Sequence, residues 1–94
     1  DLKFAATLYQ YLCDANISSA CQNLGFLYQN GQGVSQSLEK AAQLYEKSCD
    51  QGEALGCSNL GFLYQKGLGV SASEEKAKAL FQRSCDMGYA SVCQ

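Results

Sequence analysis

Ala20-Cys21-Gln22-Asn23-Leu24-Gly25-Phe26-Leu27-Tyr28-Gln29 returns, 36 residues further on, as Gly56-Cys57-Ser58-Asn59-Leu60-Gly61-Phe62-Leu63-Tyr64-Gln65. Around this stretch, residues 16–51 align with 52–87 without a gap and with about 20 of 36 positions identical, and residues 1–15 align in the same way with 37–51. The six cysteines keep the same interval, Cys13, Cys49 and Cys85 in one series and Cys21, Cys57 and Cys93 in the other. Self-similarity at a fixed period of this size is the mark of stacked supersecondary units that share one continuous core.

Each unit reads as two helices. In Leu38–Asp50 the apolar and small residues Ala41, Leu44, Tyr45, Ser48 and Cys49 recur at three- and four-residue steps, the α-helical period. This helix, termed helix B, has counterparts at 2–14 and 74–86, and Asp1, Ser37 and Ser73 stand where an N-cap oxygen belongs. Helix A is expected at about 18–30 and 53–66, with Cys21, Leu24, Gly25 and Tyr28 as one stripe. Each helix B ends at Asn16, Gly52 or Gly88, the two residue types that accept a left-handed terminator. Proline is absent, so Gly31 and Gly67 close helix A and Gly33 and Gly69 turn the loop that follows. No stretch alternates as a strand does, and the expected fold class is all-α. The units divide as residues 1–16 (a partial repeat, helix B), 17–52, 53–88 and 89–94, the start of a further repeat. Beginning and ending inside units, the chain reads as a processed protein or a piece of a longer array.

A domain of 94 residues has a thin core and calls for covalent staples. Six cysteines with no histidine fit a disulfide framework and an oxidising compartment, secreted or periplasmic; no metal and no cofactor is expected. Seven basic against nine acidic residues give a net charge of −2, which argues against nucleic acid and an anionic membrane as partners. The longest apolar runs are far too short to span a bilayer. Cys13 falls in the last turn of a helix B and Cys21 in the first turn of the next helix A, so a short turn brings them together, as it does Cys49 with Cys57 and Cys85 with Cys93. A rival scheme, Cys21 with Cys49 and Cys57 with Cys85, is also compatible with paired helices but strands Cys13 and Cys93.

The run Asn-Leu-Gly-Phe-Leu-Tyr-Gln-x-Gly-x-Gly-Val at 23–34 and 59–70, followed by Glu-Lys-Ala at 39–41 and 75–77, resembles the Sel1-like repeat, a relative of the tetratricopeptide repeat. With its cysteine series the chain is similar to the Helicobacter cysteine-rich protein family. The resemblance implies a right-handed αα-superhelix of disulfide-linked hairpins, with helix A lining a concave face that binds an extended peptide or a protein partner. Carried over by alignment on Leu24-Gly25 and Leu60-Gly61, the groove positions are Gln22, Phe26, Gln29 and Asn30, then Ser58, Phe62, Gln65 and Lys66. The rival role for the two phenylalanines is packing between neighbouring repeats. Asn23 and Asn59 resemble a structural asparagine of related repeats.

The family resemblance also implies an alternative, a penicillin-binding protein or weak β-lactamase with a β-lactam or cell-wall-derived ligand. Ser37-Leu38-Glu39-Lys40 and Ser73-Glu74-Glu75-Lys76 both read S-x-x-K, yet the companion S-D-N and K-T-G elements of such enzymes are missing. Serine at a helix start is the simpler reading, and no catalytic residue is assigned. Gly31-Gln32-Gly33 follows a helix and lacks the lysine of a phosphate loop. Asp14, Asp50 and Asp86 sit at the end of helix B that the helix dipole makes unfavourable for a carboxylate, and the sequence alone supplies no reason for them.

Overall fold

The capping residues set the limits of every helix B. In the structure, a computed structural model that describes residues 1–93, Asp1 accepts from the backbone N–H groups of Lys3 and Phe4 at 2.8 and 3.4 Å and opens α1 (Leu2–Asp14). Ser37 and Ser73 accept from the N–H of Lys40 and Lys76 at 3.2 and 3.1 Å and open α3 (Leu38–Asp50) and α5 (Glu74–Asp86). Between them lie the helices A, α2 (Ser18–Asn30) and α4 (Ala54–Lys66), and a 3₁₀ turn follows at Ala90–Val92. Gln94, the last residue of the expected further repeat, lies outside the described residues. Among these there is no strand. Asn16 has a φ of 67° and substitutes in this left-handed position for Gly52 and Gly88, and Gly31 and Gly67 close α2 and α4 in the same conformation.

Successive helices pack in order, and α2 also touches α4 directly, giving an elongated body of 37 × 24 × 18 Å. The core is one arrangement built twice. Ala6, Leu24 and Leu27 are buried together at the junction of α1 and α2, and their equivalents Ala42, Leu60 and Leu63 do the same at the junction of α3 and α4. Burying each leucine contributes about 1.5–3 kcal/mol. Within the α2–α3 hairpin the ring of Tyr45 packs against Gly25, so close that a Cβ there would stand 2.7 Å from the ring, and Phe81 covers Gly61 at 2.9 Å. The repeated Leu-Gly step therefore exists because an aromatic ring of the following helix B fills the space of the missing side chain. At the other end of the hairpin, the buried Ser48 and Ser84 hydroxyls donate to the carbonyls of Ser18 and Ala54 at 2.9 and 2.8 Å.

Long cationic side chains tie each unit to the one before. Lys47 Nζ donates to the Cys13 carbonyl at 3.0 Å, and the equivalent Arg83 reaches the Cys49 carbonyl and Asp50 Oδ1 at 3.4 and 3.2 Å. Asp50, unexplained by its own helix, thus meets a guanidinium from the next unit, while Asp14 and Asp86 accept from Gln10 and Gln82 one turn earlier. The Arg83–Asp50 pair is exposed on both sides, so its worth is only about 0–1 kcal/mol.

Candidate functional site

Helix A presents two different faces. At about 100° per residue, Phe26 lies roughly 200° round the helix from Leu24; with Leu24 buried against α1, Phe26 is turned outward. It is 48% exposed and its repeat mate Phe62 is 40% exposed, large apolar rings left in water at identical positions of two units. The other nominated residues differ in their availability. Asn30, Gln65 and Lys66 are exposed and Gln29 is half-buried, whereas Gln22 and Ser58 are only 7% and 6% exposed. Gln29 Oε1 accepts from the Tyr45 hydroxyl at 2.6 Å, which fixes its amide. Phe81 stands where Tyr45 does and has no hydroxyl, so Gln65 is without this tether. Asn30 Nδ2 donates to the Phe26 carbonyl at 3.1 Å, Ser58 Oγ donates to the Leu55 carbonyl at 3.1 Å, and Lys66 Nζ stands 5.9 Å from the centre of the Phe62 ring. Asn23 and Asn59 are half-buried.

The serine–lysine pairs are arranged for capping. Each serine oxygen is occupied by a backbone N–H, and the lysine ammoniums sit over aromatic faces of helix A, Lys40 over Tyr28 and Lys76 over Tyr64, both at 5.3 Å from the ring centre. Such cation–π contacts contribute about 0.5–1 kcal/mol at exposed sites. Burial raises the Tyr45 phenol well above its ordinary range.

All six cysteines are paired, Cys13–Cys21, Cys49–Cys57 and Cys85–Cys93, each with a Cα–Cα distance between 4.5 and 5.0 Å. The first two bridges straddle the tight turn from a helix B into the helix A that follows, and the third ties the end of α5 to Cys93 just past the 3₁₀ turn. The Cys21–Cys49 alternative is absent.

The opposite side of helix A holds a feature that no single motif reveals. Where α1 and α3 flank α2, they leave an open groove whose floor is Leu24 and Tyr28; the portion beside α1 encloses about 620 Å³, and the portion beside α3 about 320 Å³. Its walls carry Lys3 and Gln10 on one side and Lys40, Gln43 and Lys47 on the other. The same groove recurs one unit later over Leu60 and Tyr64, narrowed to about 190 Å³ beside α3. Its lining comes from three helices of two repeats, and the only sequence signal for it is the run of charge differences between equivalent positions.

The Sel1 repeat family model matches residues 18–53 and 54–89. Solved structures similar to this chain include the following three. A Sel1 repeat protein from Oxalobacter formigenes shares 30% identity at a TM-score of 0.93 over 98% of this chain and 38% of its own. Cysteine rich protein B of Helicobacter pylori shares 38% at a TM-score of 0.87 over 93% of this chain and 68% of its own. A protective antigen of uropathogenic Escherichia coli strains that displays an SLR fold shares 29% at a TM-score of 0.92 over 98% of this chain and 20% of its own. The chain thus spans about two fifths of the first relative and one fifth of the third. A search of curated protein sequences finds no match.

Proposed function

Because this chain belongs to the Sel1 repeat family, we propose that it is an extracytoplasmic protein-interaction module whose helix-A face takes an extended peptide or a protein surface. The observation that carries this reading is the repetition of an outward phenylalanine, Phe26 in α2 and Phe62 in α4, on two helices that touch one another. An aromatic ring left in water at two equivalent places has an obvious use in burying a partner's apolar side chain. Gln65 and Lys66 beside Phe62, and Asn30 beside Phe26, are available to hydrogen-bond a backbone laid across the rings. Gln22 and Ser58, nearly buried, contribute shape rather than free donors. The disulfide pairing of all six cysteines supports a secreted or periplasmic setting.

The test is peptide-library selection against the oxidised protein, repeated with Phe26→Ala and Phe62→Ala. Selected peptides are expected to lose about tenfold or more in affinity on either substitution, in keeping with aromatic anchors worth upwards of 1–2 kcal/mol. Undiminished binding by both variants would remove helix A's outward face from consideration.

A further inference from the structure

The grooves flanked by helices B differ in size and, more tellingly, in charge. Beside α1 the wall residues are Lys3 and Gln10; the equivalents one unit later are Glu39 and Glu46. Across from them, α3 turns Lys40 and Lys47 into the first groove and Glu39 and Glu46 into the second. The first groove accordingly gathers three lysines against a single aspartate, Asp14, on a protein whose net charge is −2. These ammoniums have no carboxylate of their own: among the described residues the one ion pair is Arg83–Asp50. Lys40 is instead braced on the Tyr28 ring, and Lys47, half-buried, spends one donor on the Cys13 carbonyl and keeps the others free.

We propose that the groove between α1 and α3 is a second docking site, opposite the phenylalanine face, for an acidic peptide segment whose carboxylates meet Lys40 and Lys47 and whose apolar side chains rest on Tyr28 and Leu44. Charge complementarity selects this occupant: α5 repeats the α3 cations with Lys76 and Arg83, but Glu39 and Glu46 line the second groove and Asp50 pairs with Arg83, whereas the first groove sets three lysines against Asp14 alone. Seven residues separate the two α3 lysines, about 10 Å along the helix, which matches acidic residues about three apart in an extended chain. The brace on Tyr28 and the bond to the Cys13 carbonyl hold both ammoniums in advance of binding, so little side-chain freedom is lost when the carboxylates arrive.

Fluorescence anisotropy on the oxidised full chain tests this. The probes are a short labelled peptide with two glutamates three residues apart among alanines and leucines, its lysine-for-glutamate counterpart, and a poly-dT oligonucleotide. The acidic peptide is expected to bind about tenfold tighter than the basic one and to weaken about tenfold in roughly 0.5 M salt. Lys3→Glu combined with Gln10→Glu, which installs the residues that the second groove already carries on the same helix face, reduces affinity about tenfold, and Lys40→Gln does so more mildly. Phe26→Ala and Phe62→Ala leave this binding unchanged, which separates the groove from the helix-A face. Equal binding of acidic and basic peptides, unchanged affinity in the double variant, or preference for the oligonucleotide overturns the proposal.

Discussion

Replacing Gly25 with alanine ought to damage this protein, and the same change at Gly61 ought to be nearly harmless, although the two glycines are equivalent by sequence. In an exposed helix interior, alanine is favoured over glycine by about 1 kcal/mol. At Gly25 that gain meets Tyr45, whose ring atoms would lie 2.7 and 2.8 Å from the new Cβ, with the Ala41 carbonyl 3.4 Å away. Tyr45 is fully buried and its hydroxyl is anchored on Gln29 at 2.6 Å, so the ring has nowhere to go without breaking that bond. Overpacking costs about 1–3 kcal/mol and the lost hydrogen bond about 1 kcal/mol. The expected net destabilisation is therefore about 2 kcal/mol, or a fall of roughly 8–16 °C in Tm for a domain of this size. At Gly61 the obstructing ring is Phe81, at 2.9 Å, but it is only half-buried, carries no hydroxyl and is met by no backbone atom among the nearest neighbours. It can swing outward, and the helix-propensity gain then cancels most of the strain, leaving a change of about 0–1 kcal/mol. Urea unfolding of the oxidised variants, followed by far-ultraviolet circular dichroism with slopes compared, gives both numbers. Equal losses at the two sites would refute the claim that Tyr45, rather than the glycine itself, sets the constraint.

Two further outcomes are expected. Removing the central bridge with Cys49→Ala and Cys57→Ala should cost about 2–3 kcal/mol in the loop-entropy account, more than removing Cys85–Cys93, whose second cysteine is exposed beyond a single 3₁₀ turn; denaturant midpoints of the two double variants compare them. In an alkaline spectrophotometric titration, Tyr45 should ionise only as the protein unfolds. Its phenol is raised in the folded state, so the stability it confers is complete below the ordinary tyrosine pKa of about 10 and falls as pH climbs above it; Tyr45→Phe should flatten that decline.

Helix limits could be read from the chain because the signals are local. Asp1, Ser37 and Ser73 mark starts, Asn16, Gly52 and Gly88 mark ends, and the 36-residue ruler confirms each reading twice over. The all-α fold and its repeat pattern follow from these. What local pattern does not contain is the meeting of units. Asp50 looked misplaced at the end of its own helix until Arg83, 33 residues later, supplied its partner. Gln22 and Phe26 share a helix face by counting, yet the first is nearly buried and the second open, because coverage by neighbouring helices is a property of the stack. The groove over Tyr28 draws on three helices at once, so its positive lining emerges only when Lys3, Lys40 and Lys47 are placed around one floor.

The location of the disulfides decides how this rod comes apart. They fasten α1 to α2 and α3 to α4, across the boundaries at which the repeat unit is conventionally divided, and leave the loops at 31–37 and 67–73 without any covalent brace. A protease that nicks the chain will do so there and release pieces consisting of one helix B and the helix A after it, still knotted by sulfur. The natural cassette for shortening, lengthening or shuffling this protein is thus α3 through α4 with its bridge, rather than α2 through α3, and joints engineered in the glycine loops should be the ones that survive.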